Sequence, residues 1–130
     1  TFIKLIRVET AKPTSQEVFI SKIEDSDALE DEIIKILEKN VYGNVTLDEI
    51  SSQLHYGKTT VCKTFKKKTG KTIIGYYLEI KIDESKKLIR ENKSFSEIAN
   101  VLCFDSLPHF TKTFKRITTM TPREYKNSIL

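Results

Sequence analysis

Lys63, Lys66 and Lys67 stand at the same places in KTFKKKTGKT (residues 63–72) as Lys112, Lys115 and Arg116 do in KTFKRITTMT (residues 112–121), two phrases that share six of ten letters. Ammonium and guanidinium groups spaced this way donate hydrogen bonds and carry charge, a chemistry suited to phosphate oxygens and acceptor edges rather than to bond breaking. Catalysis would need a clustered nucleophile, acid and base. His55 and His109 instead fall at or beside turns of different copies, with no Ser or Cys and acid spaced to serve them. No catalytic residue is assigned, and the chain is not read as an enzyme. Cys62 and Cys103 lie far apart without a CxxC or a His pair, so neither a zinc site nor a disulfide is indicated, and no metal or cofactor is expected. Reduced thiols fit the cytoplasm. No apolar run is long enough for a membrane span, so no membrane partner is expected.

The charge around these phrases is sorted along the chain. Residues 27–57 carry two Lys and seven Asp or Glu, net −5, whereas residues 58–93 carry eleven basic and four acidic side chains, net +7. The whole chain of 130 residues has a formal net charge of +4. Such sorting is the pattern of an electrostatic footprint for an anionic partner.

The repeat extends outward from its basic centre. At an offset of 48, Thr46, Leu47, Glu49, Ile50 and Leu54 fall on Ser94, Phe95, Glu97, Ile98 and Leu102. Past a turn the offset becomes 49, and Val61, Phe65 and Tyr76 fall on Phe110, Phe114 and Tyr125. One inserted residue is what a loop tolerates and a continuous helix does not, so the unit is helix, turn, helix. Each first helix is expected to open with a capping box, TLDE at Thr46 and SFSE at Ser94. In the second helices Val61, Thr64, Phe65 and Lys68, and Phe110, Thr113, Phe114 and Ile117, share an inward face. The outward face is polar and basic. Lys66, Lys67, Lys115 and Arg116, at the far ends of these helices, are expected to meet backbone phosphate.

Flanking helices are expected at residues 28–40, at 72–92 as a long connection, and at 121–129, where Thr121 caps and Pro122 opens the helix. Gly75 permits a bend in the long one. The fold class is therefore all-α: two helix-turn-helix subdomains joined by a long linking helix, about seven helices in all.

These motifs resemble the DNA-binding domain of AraC/XylS-type bacterial transcription regulators. The resemblance runs over roughly residues 28–127 and is carried by SEIANVLCF and SLPHFTKTFKRITTMTPREY, with the upstream copy in LDEISSQL, VCKTFKKKTGKT and Tyr76. It implies a domain over 27–130, with a first helix-turn-helix unit at 27–71, a linking helix at 72–92 and a second unit at 94–130. It implies double-stranded DNA as partner, read in two successive major-groove segments, and transcription activation through RNA polymerase. With the outward arc, it points to Lys58, Thr59, Cys62 and Lys63 in the first unit and Leu107, Pro108, His109 and Lys112 in the second as base-contacting residues. The chain departs from the family at Cys103 and Thr119, where glycine is common; Cys103 is expected to serve packing. A helical protein-interaction module, using the acidic face of residues 27–49, is the alternative.

Residues 1–26 match nothing in that domain. FIKLIRV and VFISKI around a polar break suit a two-stranded hairpin or a linker, the tail of an upstream domain through which any oligomerisation would run.

Overall fold

Seven α-helices and no strand make up the described residues, 25–130, of a computed structural model of the chain: α1 (Asp25–Lys39), α2 (Leu47–Leu54), α3 (Lys58–Thr69), α4 (Ile73–Arg90), α5 (Phe95–Val101), α6 (Leu107–Thr118) and α7 (Pro122–Ile129). FIKLIRV and VFISKI lie outside the described residues.

Local chemistry starts most of these helices. The Thr46 hydroxyl accepts from the Glu49 N–H at 3.1 Å while the Glu49 carboxylate accepts from the Thr46 N–H at 2.8 Å, a complete capping box for α2. Thr121 and Glu124 build a second box at α7. At Ser94 only half of the expected box forms: its hydroxyl caps Glu97 N–H, and no return bond from the Glu97 side chain is present. Thr72 caps α4 by accepting from Gly75 N–H, and a Cβ at Gly75 would sit 2.9 Å from that hydroxyl oxygen. The glycine therefore serves the cap, and α4 runs as one continuous helix of 18 residues, about 27 Å.

Two hydrophobic clusters divide along α4. Ile33 and Leu37 of α1, Ile50 of α2, Val61 and Phe65 of α3, and Ile73 and Tyr77 of α4 form the first. Ile82 and Ile89 of α4, Ile98 and Ala99 of α5, Leu102, Phe104, and Phe110 and Phe114 of α6 form the second. Each fully buried Phe is worth roughly 1.5–3 kcal/mol of transfer free energy. Single helices of seven to twelve residues would not persist in water, so these clusters hold α2, α3, α5 and α6 in place. Lys68, expected on the inward face of α3, is exposed.

Equivalent turns take equivalent backbone angles. After α2 and after α5 the chain turns through left-handed residues, His55 at φ 61° and Cys103 at φ 61°; after α3 and α6 it does so at Gly70, φ 76°, and Thr119, φ 69°. The two positions where this chain lacks the expected glycine thus keep the glycine conformation. Packing is not the role of Cys103, contrary to expectation: its side chain is exposed, and the thiol points at the Tyr42 carbonyl, 3.4 Å away.

Candidate nucleic-acid interface

The candidate interface is the outer face of α3 and α6, the second helix of each repeat. Both are rooted by aromatic pairs one helix away. Phe65 meets Tyr76 edge-on with centroids 5.4 Å apart, and Phe114 meets Tyr125 at 5.7 Å. Both phenylalanines are wholly buried, which turns the opposite arc of each helix to solvent.

The far ends are closed by one device used twice. Thr69 donates from its hydroxyl to the Phe65 carbonyl at 2.8 Å and accepts from Lys71 N–H at 3.1 Å; Thr118 donates to Phe114 at 2.8 Å and accepts from Met120 N–H at 3.2 Å. These threonines were not singled out from the sequence, although both occupy the seventh letter of the doubled phrase.

Eleven of the twelve proposed contact residues are exposed: Lys58, Thr59, Lys63, Lys66 and Lys67 on α3, and Leu107, Pro108, His109, Lys112, Lys115 and Arg116 on α6. Cys62 is half-buried instead. It packs on the first cluster and lines an open groove of about 680 Å³, with Leu47, Ile73 and Ile74 as apolar walls and Lys63, Lys66 and Lys67 along the rim.

The two helices differ where they begin. Ser106 accepts from His109 N–H at 3.2 Å and Pro108 occupies the first turn of α6, while Gly57 offers α3 no side-chain cap. Lys58 Nζ lies 2.9 Å from an Asp48 carboxylate oxygen on α2, and that bond raises its pKa above the ordinary lysine value. His109 stands 3.9 Å from Asp105 and edge-on to Phe104 at 5.3 Å. Among the described residues Lys63, Lys66, Lys67, Lys112, Lys115 and Arg116 have no acidic partner within ion-pair distance. Six cations are thereby available to an anionic ligand. Asp48 and Asp105, which temper this face, follow from no pattern in the cationic phrase itself. Among the described residues no group of three His, Cys, Asp or Glu could hold a metal ion, and no helix is long and apolar enough to cross a membrane.

A family profile described as a helix-turn-helix domain matches residues 50–128. An uncharacterized HTH-type transcriptional regulator of Bacillus subtilis, YobQ, is 28% identical over 97 residues, covering 74% of this chain and 40% of the relative. The bifunctional transcriptional activator/DNA repair enzyme AdaA of the same organism is 30% identical over 116 residues, covering 88% of this chain and 52% of the relative. The chain spans about half the length of the curated relatives it matches. Among solved structures, a transcriptional regulator from Chromobacterium violaceum described as an AraC-type DNA-binding domain-containing protein superposes with a TM-score of 0.74 at 26% identity, covering 80% of this chain and 94% of the other.

Proposed function

This chain belongs to the AraC-type helix-turn-helix family of transcription regulators, and from that premise we propose that it binds double-stranded DNA sequence-specifically with α3 and α6 in successive major grooves. The observation that carries the reading is the doubled basic face: two helices at equivalent places in a repeat, each with a buried Phe behind and, in front, cations of which all but Lys58 lack an acidic partner among the described residues. One such helix reads only a few base pairs; two read a longer, asymmetric site.

In this reading Lys58, Thr59, Cys62 and Lys63 meet base edges from the first unit, and Leu107, Pro108, His109 and Lys112 from the second. Lys66, Lys67, Lys115 and Arg116 grip phosphate near the helix ends. Recognition helices one duplex turn apart stand about 34 Å from each other, and α4, about 27 Å long, is of the scale to separate them. Bound at a promoter in the cytoplasm, the chain would activate transcription by touching RNA polymerase.

Selecting duplexes from a random pool with the chain tests the first step. Enrichment of one bipartite, asymmetric motif with halves centred about 10 base pairs apart, bound with affinity that falls steeply as salt rises, is the expected result. Failure to enrich any duplex would favour the protein-interaction alternative.

A further inference from the structure

The linking helix carries a stripe at every fourth residue, Ile73, Tyr77, Lys81, Ser85 and Ile89, and all five are buried. Four of these are unremarkable in a core, but a lysine 4% exposed between two hydrophobic clusters is costly unless its ammonium is fully bonded. It is. Lys81 Nζ donates to the carbonyls of Val41 at 3.0 Å and Gly43 at 2.7 Å, in the loop between α1 and α2, and to the carbonyl of Leu102 at 2.5 Å, at the end of α5. It also lies 4.7 Å from the centroid of the Tyr77 ring. Three N–H donors thus meet three acceptors, two from one helix-turn-helix unit and one from the other.

Neighbouring bonds converge on the same loop. The Tyr77 hydroxyl accepts from Val45 N–H at 3.2 Å and lies 2.7 Å from the Asn40 carbonyl, to which it donates. The Cys103 thiol reaches Tyr42 O from the second unit. The two clusters meet α4 at separate places, and besides the Cys103–Tyr42 bond and Val41 packed on the second cluster, the Lys81 ammonium is the group that bonds carbonyls of both units at once.

We infer that Lys81 is a positioning residue that fixes the angle between the two helix-turn-helix units, and through it the spacing of the two half-sites that one molecule can bind. The inference rests on the DNA-binding reading for its second half only; the angle between units is a property of the free protein. Burial pushes the ammonium below the ordinary lysine pKa, a desolvation cost that the three carbonyl bonds oppose.

The test compares the 130-residue wild-type chain with Lys81→Met, which keeps the stem and removes the donors, and Lys81→Arg, which restores donors. Residual dipolar couplings of the free chains should fit one alignment tensor over both units in wild type and Lys81→Arg, and need two in Lys81→Met. On the selected duplex and on one with an extra base pair between half-sites, wild type should discriminate, and Lys81→Met should narrow that ratio by about fivefold or more. A single tensor for Lys81→Met overturns the proposal whatever happens on DNA. Two tensors with no discrimination by wild type would leave the clamp standing and count against the two-groove reading. If Lys81→Met does not fold, Lys81→Gln is measured in the same way. Loss of the fold in both overturns the proposal too, since Lys81 would then be a condition of folding rather than of orientation.

Discussion

The second helix-turn-helix unit is built with more local support than the first, although both follow one plan. In the second, a side chain caps the reading helix, a proline opens it, and Phe104, Phe110, Phe114 and Tyr125 form a continuous aromatic series with successive centroids 5.3, 5.8 and 5.7 Å apart. In the first, Gly57 caps α3 with backbone alone, Lys58 is engaged by Asp48, and Phe65 has, among the described residues, a single aromatic neighbour, Tyr76. Order in place before binding need not be supplied during it. On the proposed DNA-binding reading, the second unit is the preorganised reader, and the first is the one that would release an ion pair and settle its helix start on the ligand.

The largest break in this comparison is expected in the cores. Phe114→Ala and Phe65→Ala each remove a wholly buried ring and should each lower stability by about 3–5 kcal/mol. Phe114, with aromatic neighbours on two sides, should stand at the upper end of that range. Urea unfolding of the two variants measures both; wild-type stability in either would mean that the ring does not anchor its helix.

On the DNA side, Lys63→Ala and Lys112→Ala should each weaken binding to the selected site by about 1–3 kcal/mol and relax preference over separate base pairs. Repeating the site selection with each variant reads this directly, and relaxation of the same base pairs by both would sink the idea of two readers. Alanine at Lys66, Lys67, Lys115 or Arg116 should instead weaken all duplexes alike and reduce the salt slope by about 1 per contact. If Lys63→Ala behaves in that second way, the first unit grips rather than reads, and the asymmetry between units is sharper than their shared plan suggests.

Much of this architecture was legible because it is written twice. The offsets of 48 and 49 located both helix pairs, and the alternation of Phe with outward Lys assigned their faces, since a buried ring leaves little choice for its neighbours. Features that depend on distant partners were not legible. Lys81 reads as one more surface lysine until Val41, Gly43 and Leu102 are brought to it; the only local signal is a cation inside an apolar stripe of period four. Cys103 misled for a related reason. An apolar residue beside Phe104 suggests packing, whereas the turn demands a left-handed backbone that aims the side chain outward.

That left-handed backbone supplies a smaller test of the two units. Gly70 and Thr119 are equivalent caps at φ 76° and 69°, yet a β-branched residue adopts this conformation only at a cost of roughly 1–2 kcal/mol. Thr119→Gly should therefore stabilise the chain, by about 0.5–1 kcal/mol once the greater freedom of glycine in the unfolded chain is set against the relief. Gly70→Thr should destabilise by about 1–2 kcal/mol, through conformation alone, because nothing lies within 4 Å of a Cβ built there. Paired melting curves check the signs, and a destabilised Thr119→Gly would show that the threonine side chain contributes more than its backbone strain removes.

The smallest expected effect concerns how the first unit's loop is tied to α4. Tyr42 donates from its hydroxyl to the Glu84 carboxylate, and that bond first, then burial and the nearby charges of Glu84 and Glu91, pushes its pKa up from 10.0 to about 12. A group that holds its proton more tightly when folded contributes stability that is fully present below pH 10 and is lost as pH rises through about 12. Removing the carboxylate charge in Glu84→Gln should move the Tyr42 titration back toward its ordinary value, while Tyr42→Phe should delete a late step, at about pH 12, from the tyrosinate absorbance curve. The fall in stability above pH 10 should be shallower in Tyr42→Phe than in wild type, although the pair is solvent-exposed and the difference small. A late step that survives Glu84→Gln unchanged would mean that the loop is held to α4 by Lys81 and Tyr77 without measurable help from Tyr42.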